Sequence, residues 1–324
     1  MIIILSIPND STTFEICRWL NFYSLKYKVV FPSMMLKNIE IKKLSRKTIQ
    51  KHIEKVFDCK MSEIDVIWCR KWGINDLLKS NPNLPLTSKN IEILQAASKI
   101  EMRVFNEFIF KMLPEKKIIN SFINPNYSKL TQLIIAQECG LKVPNTHITD
   151  SLEFVNNECL KDKIITKAIE NGFGINYENE DFTTFTSRIE TSNIISSAFS
   201  PSLIQNEIEK AFEIRTFILG EKSYSMAIFS QENIQTQVDL RVYDKKNPNK
   251  KSSYVLPKNI ESKIFNFMKK MNLSTGSIDF IVDKKDNYYF LEVNPYGQFG
   301  MVSKSCNYNL ENEVAKFLMK YGKN

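Results

Sequence analysis

Histidine is almost missing from this chain, with His52 and His147 the only two in 324 residues. A His-based catalytic triad or a multi-His metal centre therefore has almost no raw material. The six cysteines, Cys17, Cys59, Cys69, Cys139, Cys159 and Cys306, contain no C-x-x-C pair. Neither a zinc site nor a redox dithiol is signalled, and reduced thiols are expected. No apolar run reaches the ~20 residues of a membrane span. The opening Met1 to Pro8 has no basic flank and is too short for a signal peptide's apolar stretch. These absences imply a cytoplasmic protein without a membrane partner. Internal repeats and low-complexity tracts are also lacking.

What remains is an ordinary globular composition, 43% hydrophobic and 25% charged. The length points to two or three lobes, and any chemistry must rest on carboxylates, Lys and Arg. The net charge of +8 could serve a nucleic acid, but lysine is spread along the chain beside abundant Asn and Ile, which reads as compositional bias. A small anion or an acidic peptide suits the charge equally well.

The first hundred-odd residues alternate strand and helix patterns. Ile2 to Ile7 reads as a buried strand, Ser11 to Tyr23 as a helix capped by Asp10 or Ser11, and Ile64 to Cys69 as another strand. A long amphipathic helix over Lys89 to Met112 stops before Pro114, and Ile118 to Ile123 can close the lobe. A second unit opens at Asn124. There a helix over Ser128 to Cys139 places Leu130, Leu133, Ile134 and Gln137 on one stripe, ends at Gly140, and carries Lys129 in its first turn. From Pro201 hairpins dominate. Glu213 to Leu219 and Lys222 to Ile228 are joined by Gly220-Glu221, with Gly first as a type II′ turn prefers. Asp244 to Ser253 reads as a polar, Lys-rich loop, Ile260 to Met271 and Leu310 to Tyr321 as helices, and Gly276 to Asp283 and Tyr288 to Asn294 as a final hairpin.

That hairpin carries the sharpest chemical signal. Alternation along a strand puts Phe290, Glu292 and Asn294 on one face and Leu291 and Val293 on the other. If residues 284 to 287 form the loop, Asp283 pairs with Tyr288, and the same register sets Asp279 opposite Glu292 with Cβ atoms ~5 Å apart. Two facing carboxylates need a cation between them. Together with the amide oxygen of Asn294 they form a hard-oxygen set suited to Mg²⁺. Each residue alone is ordinary for a strand edge or a turn; the three together favour a metal.

Upstream, Lys167 lies in the apolar strand Ile164 to Ala168, where a charge is costly unless compensated, so it is a candidate phosphate ligand. Glu170-Asn-Gly172-Phe-Gly174 is either a short phosphate loop or a plain turn. Glu213 and Arg215 share a strand face, with an ion pair between them as the bland reading. Asp239, Arg241 and Tyr243 alternate with apolar residues on a further strand.

The Asp279-Phe-Ile and Phe290-Leu-Glu-Val-Asn294-Pro pattern resembles the metal-binding end of the ATP-grasp superfamily. The resemblance implies an α/β and α+β architecture: an N-terminal α/β domain over 1–123, then two α+β subdomains, 124–202 and 203–324, that clasp ATP and Mg²⁺. It implies that Asp279, Glu292 and Asn294 bind the metal and that Lys129 and Lys167 meet the phosphates. Gln205, Asn206, Glu207 and Ile208 would form the connection that meets adenine, although Asn206 and Glu207 stand where Glu and Tyr are common. Glu213-Ile-Arg215 matches the superfamily's acidic-x-Arg element, making Glu213 an ATP-binding and Arg215 a catalytic candidate, with Arg241 a second holder of the acyl phosphate.

Phe290 through Tyr308, with Ser230-Gln231, Thr236 to Arg241 and Val66 to Trp72, further resembles the graspetide maturases, and among them the grasp-with-spasm group related to the microviridin ligases. This implies a macrocyclase that activates Asp or Glu side chains of a ribosomal precursor peptide as acyl phosphates. Ser or Thr hydroxyls would capture them as ω-esters, or Lys as ω-amides. A leader peptide gripped near the 213 to 230 hairpin, a homodimer and a cytoplasmic setting would accompany it. Three rivals stay open: addition of amino acids to a protein tail or small substrate, a nucleotide-gated peptide binder without catalysis, and a kinase.

Overall fold

The protein is described from a computed structural model that covers residues 1–36, 39–72, 88–169, 174–177, 180–183, 185–194, 198–231 and 248–321. Its contacts divide the chain into two units, residues 1–124 with 309–324, and 125–308. Among the described residues no helix is long and apolar enough to cross a membrane.

The first unit contains β1 (Ile2–Leu5), α1 (Ser11–Phe22), β2 (Tyr27–Val30), α2 (Pro32–Leu36), α3 (Arg46–Phe57), β3 (Val66–Cys69), α4 (Ser88–Lys111) and β4 (Ile118–Ile119). The strands form a parallel sheet in the order β2-β1-β3-β4. All four residues of β1 and of β3 are buried, as their unbroken apolar runs require of strands covered on both faces. Helix α1 starts where Asp10 accepts from the Thr13 amide at 3.0 Å. A Ser45–Thr48 capping box starts α3. The C-terminal helix, Leu310–Tyr321, packs on α1 and β3, and Tyr23 Oη donates to Asn312 Oδ1 at 2.8 Å. The sequence reading placed this helix with the C-terminal subdomain; its apolar stripe of Leu310, Val314 and Leu318 is equally able to cover any sheet, and only packing shows which.

The second unit contains α5 (Lys129–Glu138), β5 (Thr146–Thr149), α6 (Leu152–Lys161), β6 (Ile164–Lys167), β7 (Gly174–Tyr177), β8 (Glu180–Thr183), β9 (Ser187–Arg188), β10 (Ser202–Asn206), β11 (Lys210–Leu219), β12 (Lys222–Phe229), β13 (Lys250–Tyr254), α7 (Lys258–Lys270), β14 (Thr275–Asp283), β15 (Tyr288–Asn294) and α8 (Gly300–Ser305). One sheet runs β5-β10-β6-β9, another β13-β12-β11-β14-β15, and β7 pairs with β8. The larger sheet buries Ile214, Ile278, Phe280, Val282, Phe290 and Val293 under α5 and α7; α8 packs on β11, β12 and β13, and Phe217 on the opposite face meets Phe299.

The two-residue turn expected between β11 and β12 is present: Leu219 pairs with Lys222, and Gly220 has φ +59, a backbone state that costs glycine little. Residues 250–253, read from sequence as the end of a loop, instead belong to strand β13, which pairs with β12. Its Lys250, Lys251, Ser252 and Ser253 are the polar and charged residues that keep an exposed edge from pairing with another chain. In α5 the buried residues are Gln132, Leu133 and Ala136. Ile134, placed on the apolar stripe from sequence, is 58% exposed.

Candidate functional site

On the face of the large sheet opposite α5 and α7, the candidate residues stand on β11, β14 and β15. Arg215 pairs with Asp279, Asp279 with Glu292, and Ser277 with Asn294, so a cation and three oxygen-bearing side chains occupy adjacent positions. The Asp279–Glu292 pairing is the one derived from sequence, but the route to it differs. Val282, Ile281 and Phe280 pair with Tyr288, Tyr289 and Phe290, one residue out of the expected register, and a shift between Asp279 and Phe280 restores it. Leu291 is the extra residue. Such a bulge interrupts side-chain alternation, so Phe290 does not share a face with Glu292 as expected. It is buried against Phe267 and Phe280, in the same core as Val293.

Arg215 grips Asp279 as a fork: Nε donates to Oδ1 and Nη2 to Oδ2, both at 2.7 Å. The two side chains are only 16% and 17% exposed, so the pair is shielded from water, where such bidentate bonds are strong. The negative charge of Asp279 holds the guanidinium pKa above its ordinary value, with burial opposing. Glu292 has a different cation. Lys129, first residue of α5, places Nζ 3.3 Å from Glu292 Oε2 and also donates to the Ala168 carbonyl at 3.3 Å. It thereby reaches the chain immediately after Lys167, the half-buried last residue of β6.

Asn294 ends β15 with its side-chain Oδ1 accepting from the Tyr296 amide at 3.1 Å, an Asx turn that fixes the amide group. The turn closes on Gly297, φ +55, where an added Cβ would sit 2.9 Å from the Phe217 ring. Only glycine meets both conditions.

The donor chemistry fits a hard divalent cation. Asp279 and Glu292 supply carboxylate oxygens and Asn294 an amide oxygen. A carboxylate has about four lone-pair sites, so the bonds to Arg215 and Lys129 leave capacity on each. Among the described residues there is no group of three His, Cys, Asp or Glu side chains suited to a metal, so a cation here would complete its shell with water or phosphate oxygens, as Mg²⁺ commonly does.

Other candidates fall elsewhere. Glu213 does not pair with Arg215, the bland alternative from sequence. It is buried in an ion pair with Lys210 and accepts from Ser230 Oγ at 3.3 Å. Its second oxygen, Oε2, is buried without a partner among the described residues, and burial pushes the carboxyl pKa up. In the connection to β11, Gln205 is buried and donates to Thr146 Oγ1 at 2.8 Å. Asn206 bonds Asp162 and Asn145, and Glu207 accepts two 2.7 Å bonds from Arg188. These three side chains brace the smaller sheet, and Ile208 is half-buried after them. Arg241, with Asp239 and Tyr243, lies outside the described residues, as does the 170–173 part of the possible phosphate loop.

One contributor gives no motif-like signal in the sequence. Gln132, buried in α5, accepts from the Val293 amide at 2.8 Å and donates to the Tyr127 carbonyl at 2.9 Å. Since β15 is an edge strand, that amide points away from the sheet and needs a partner. The helix that carries Lys129 thus also pins the backbone between Glu292 and Asn294.

No protein-family model and no curated protein matches the sequence. Solved structures do. The macrocyclase MdnC bound with precursor peptide MdnA from Microcystis aeruginosa MRC superposes with a TM-score of 0.74 at 22% identity, covering 98% of this chain and 99% of that one. A Chryseobacterium gregarium RiPP-associated ATP-grasp ligase in complex with ADP and a leader and core peptide gives 0.72 at 21%, covering 98% and 94%. The ATP-grasp ligase PsnB complexed with minimal precursor gives 0.75 at 13%, covering 99% of each chain. The chain therefore has the ATP-grasp fold over nearly its whole length. The solved structures similar to it include ligases captured with precursor peptides.

Proposed function

We propose that the protein is an ADP-forming ATP-grasp ligase that closes rings in a ribosomal precursor peptide. The observation that carries this reading is the single sheet face on which Arg215, Asp279, Glu292, Asn294 and the helix residue Lys129 converge. The similar structures support it, since PsnB was captured with minimal precursor, Mg and ADP.

A substrate Asp or Glu carboxylate attacks the γ-phosphorus of ATP. The bond to the leaving ADP oxygen breaks, and an acyl phosphate forms. A Ser or Thr hydroxyl, or a Lys amine, of the same peptide then attacks the acyl carbon. It loses its proton and expels inorganic phosphate, leaving an ω-ester or ω-amide. In this scheme Lys129 and Lys167 orient the phosphates and Arg215 faces the transferring group, with Arg241 assigned the acyl phosphate. Mg²⁺ bound by Asp279, Glu292 and Asn294 would supply neutralisation of phosphate charge. No protein nucleophile is needed, in keeping with the scarcity of histidine; positioning and electrostatics supply the rate. A homodimer and a cytoplasmic setting belong to the same reading.

The test is mass spectrometry of a short Thr- and Glu-rich peptide encoded beside the gene, incubated with the protein, ATP and Mg²⁺. Loss of one water per ring, with ADP and phosphate released, is expected. A gain in mass by an amino acid or a phosphate, or peptide binding without ADP release, would overturn the proposal.

A further inference from the structure

The first unit carries a second feature that the proposed chemistry does not use. Between Lys26 and Lys60 the sequence has ten Lys or Arg against three Asp or Glu, a surplus of seven in a chain whose whole net charge is +8. The positive charge is concentrated, contrary to the even spread read from the sequence. The fold gathers part of it around one groove. Lys28 of β2, Lys42 and Lys43 of the segment before α3, and Lys51 and Lys55 of α3 line its sides, while Met34, Ile41 and Val56 give it apolar surface.

Two of these lysines have acidic partners, Lys28 with Asp58 at 3.6 Å and Lys42 with Glu40 at 3.2 Å. Lys43, Lys51 and Lys55 make no close ion pair among the described residues, although Glu54 lies near enough to Lys51 to feel its charge. Lys51 and Lys55 stand four apart on one helix, an arrangement in which like charges repel and an anionic partner relieves the repulsion. The groove encloses about 770 Å³, within the ~300–1,000 Å³ of ligand-sized pockets. It takes a few residues of extended chain rather than a folded domain. Its lining holds no Phe, Tyr or Trp, and its one ring, His52, is tied to the Met35 carbonyl, so single-stranded nucleic acid would find no run of stacking platforms. The apolar surface between the lysines instead suits aliphatic side chains.

We propose that this groove docks an acidic, aliphatic segment of the peptide substrate, apart from the residues being joined. The identification of the occupant as substrate rests on the macrocyclase reading. Paired rows of lysine recognise carboxylates along the segment and hasten its capture, and the interaction weakens as salt rises.

The direct test is fluorescence anisotropy of the full-length protein with a fluorescein-labelled peptide of alternating Glu and Leu. Binding is expected to weaken with added salt and to fall about tenfold or more in Lys51→Glu/Lys55→Glu, which is ~1.4 kcal/mol or more. Both lysines are exposed, and circular dichroism confirms the variant's fold. Lys99→Glu/Lys269→Glu makes the same charge change at exposed sites off the groove and is expected to bind as the parent does. No binding of the Glu/Leu peptide, equal binding of a Gln/Leu peptide, an equal loss in the Lys99/Lys269 variant, or tighter binding of oligo-dT would each overturn the proposal. Failure of ring formation with groove binding intact would count against the macrocyclase reading instead.

Discussion

Asp279 faces Glu292 across β14 and β15 because Leu291 bulges out of the ladder between Phe290 and Glu292. The bulge lets one strand bury Phe290 and Val293 in the core while presenting Glu292 and Asn294 to the opposite face. Structure and chemistry are reconciled within five residues.

Glu292→Gln should abolish peptide-dependent ADP release and leave the fold intact. Asp279→Asn should do the same and also destabilise the protein, because it takes the carboxylate from the part-buried Arg215. Breaking a fully buried pair from one side costs about 3–5 kcal/mol, a ceiling for this part-exposed one. Urea denaturation of the two variants, with ADP release measured alongside, checks the difference; retained activity in Glu292→Gln would remove the metal assignment.

Arg215→Ala should still bind ATP but lose ring formation by about 10²–10³-fold, the usual effect of removing one donor to developing charge. Arg215→Lys should recover little, since an ammonium cannot reproduce the two parallel bonds to Asp279. Product mass and nucleotide binding, measured separately, decide it.

Gln132→Leu should cost about 1–3 kcal/mol by leaving the Val293 amide and the Tyr127 carbonyl without their partner. Denaturant midpoints report the loss. An unchanged midpoint would show that the tether is dispensable.

Asp10 predicts the behaviour in acid. Its burial, which alone would raise the carboxyl pKa, is outweighed by Arg70 and by bonds from Lys71 and Thr13, so the folded value lies below 3.8. A depressed carboxylate stabilises the fold fully above the unfolded pKa of about 3.9 and ceases to as pH falls through the lower folded value. Asp10→Asn keeps an N-cap but removes the carboxylate 3.5 Å from Arg70, which is 2% exposed. It should lower stability at pH 7 and flatten the decline below about pH 4, as thermal unfolding against pH would show.

Much of the fold was legible from local pattern. The spans of β15 and of the C-terminal helix agree with the sequence reading to the residue. Asp10 and Gly220 act where cap and turn chemistry put them. These features depend on neighbours a few residues away, which the sequence displays directly. The facing of Asp279 and Glu292 was reached from the sequence by a loop register that is one residue out over Phe280 to Val282, and the bulge at Leu291 restores it.

Tertiary structure decided what depends on distant partners. Which carboxylate Arg215 and Lys129 would each take is a matter of sheet order and helix docking across 64 and 163 residues of sequence respectively. The bulge at Leu291 arises because both Phe290 and Val293 have a core to fill. Gln132 became a buried residue because an edge strand had an unpaired amide to satisfy. Sequence determined the kinds of groups available for the chemistry of the Asp279–Glu292 face; packing fixed their partners, since burial and pairing are properties of the whole folded chain.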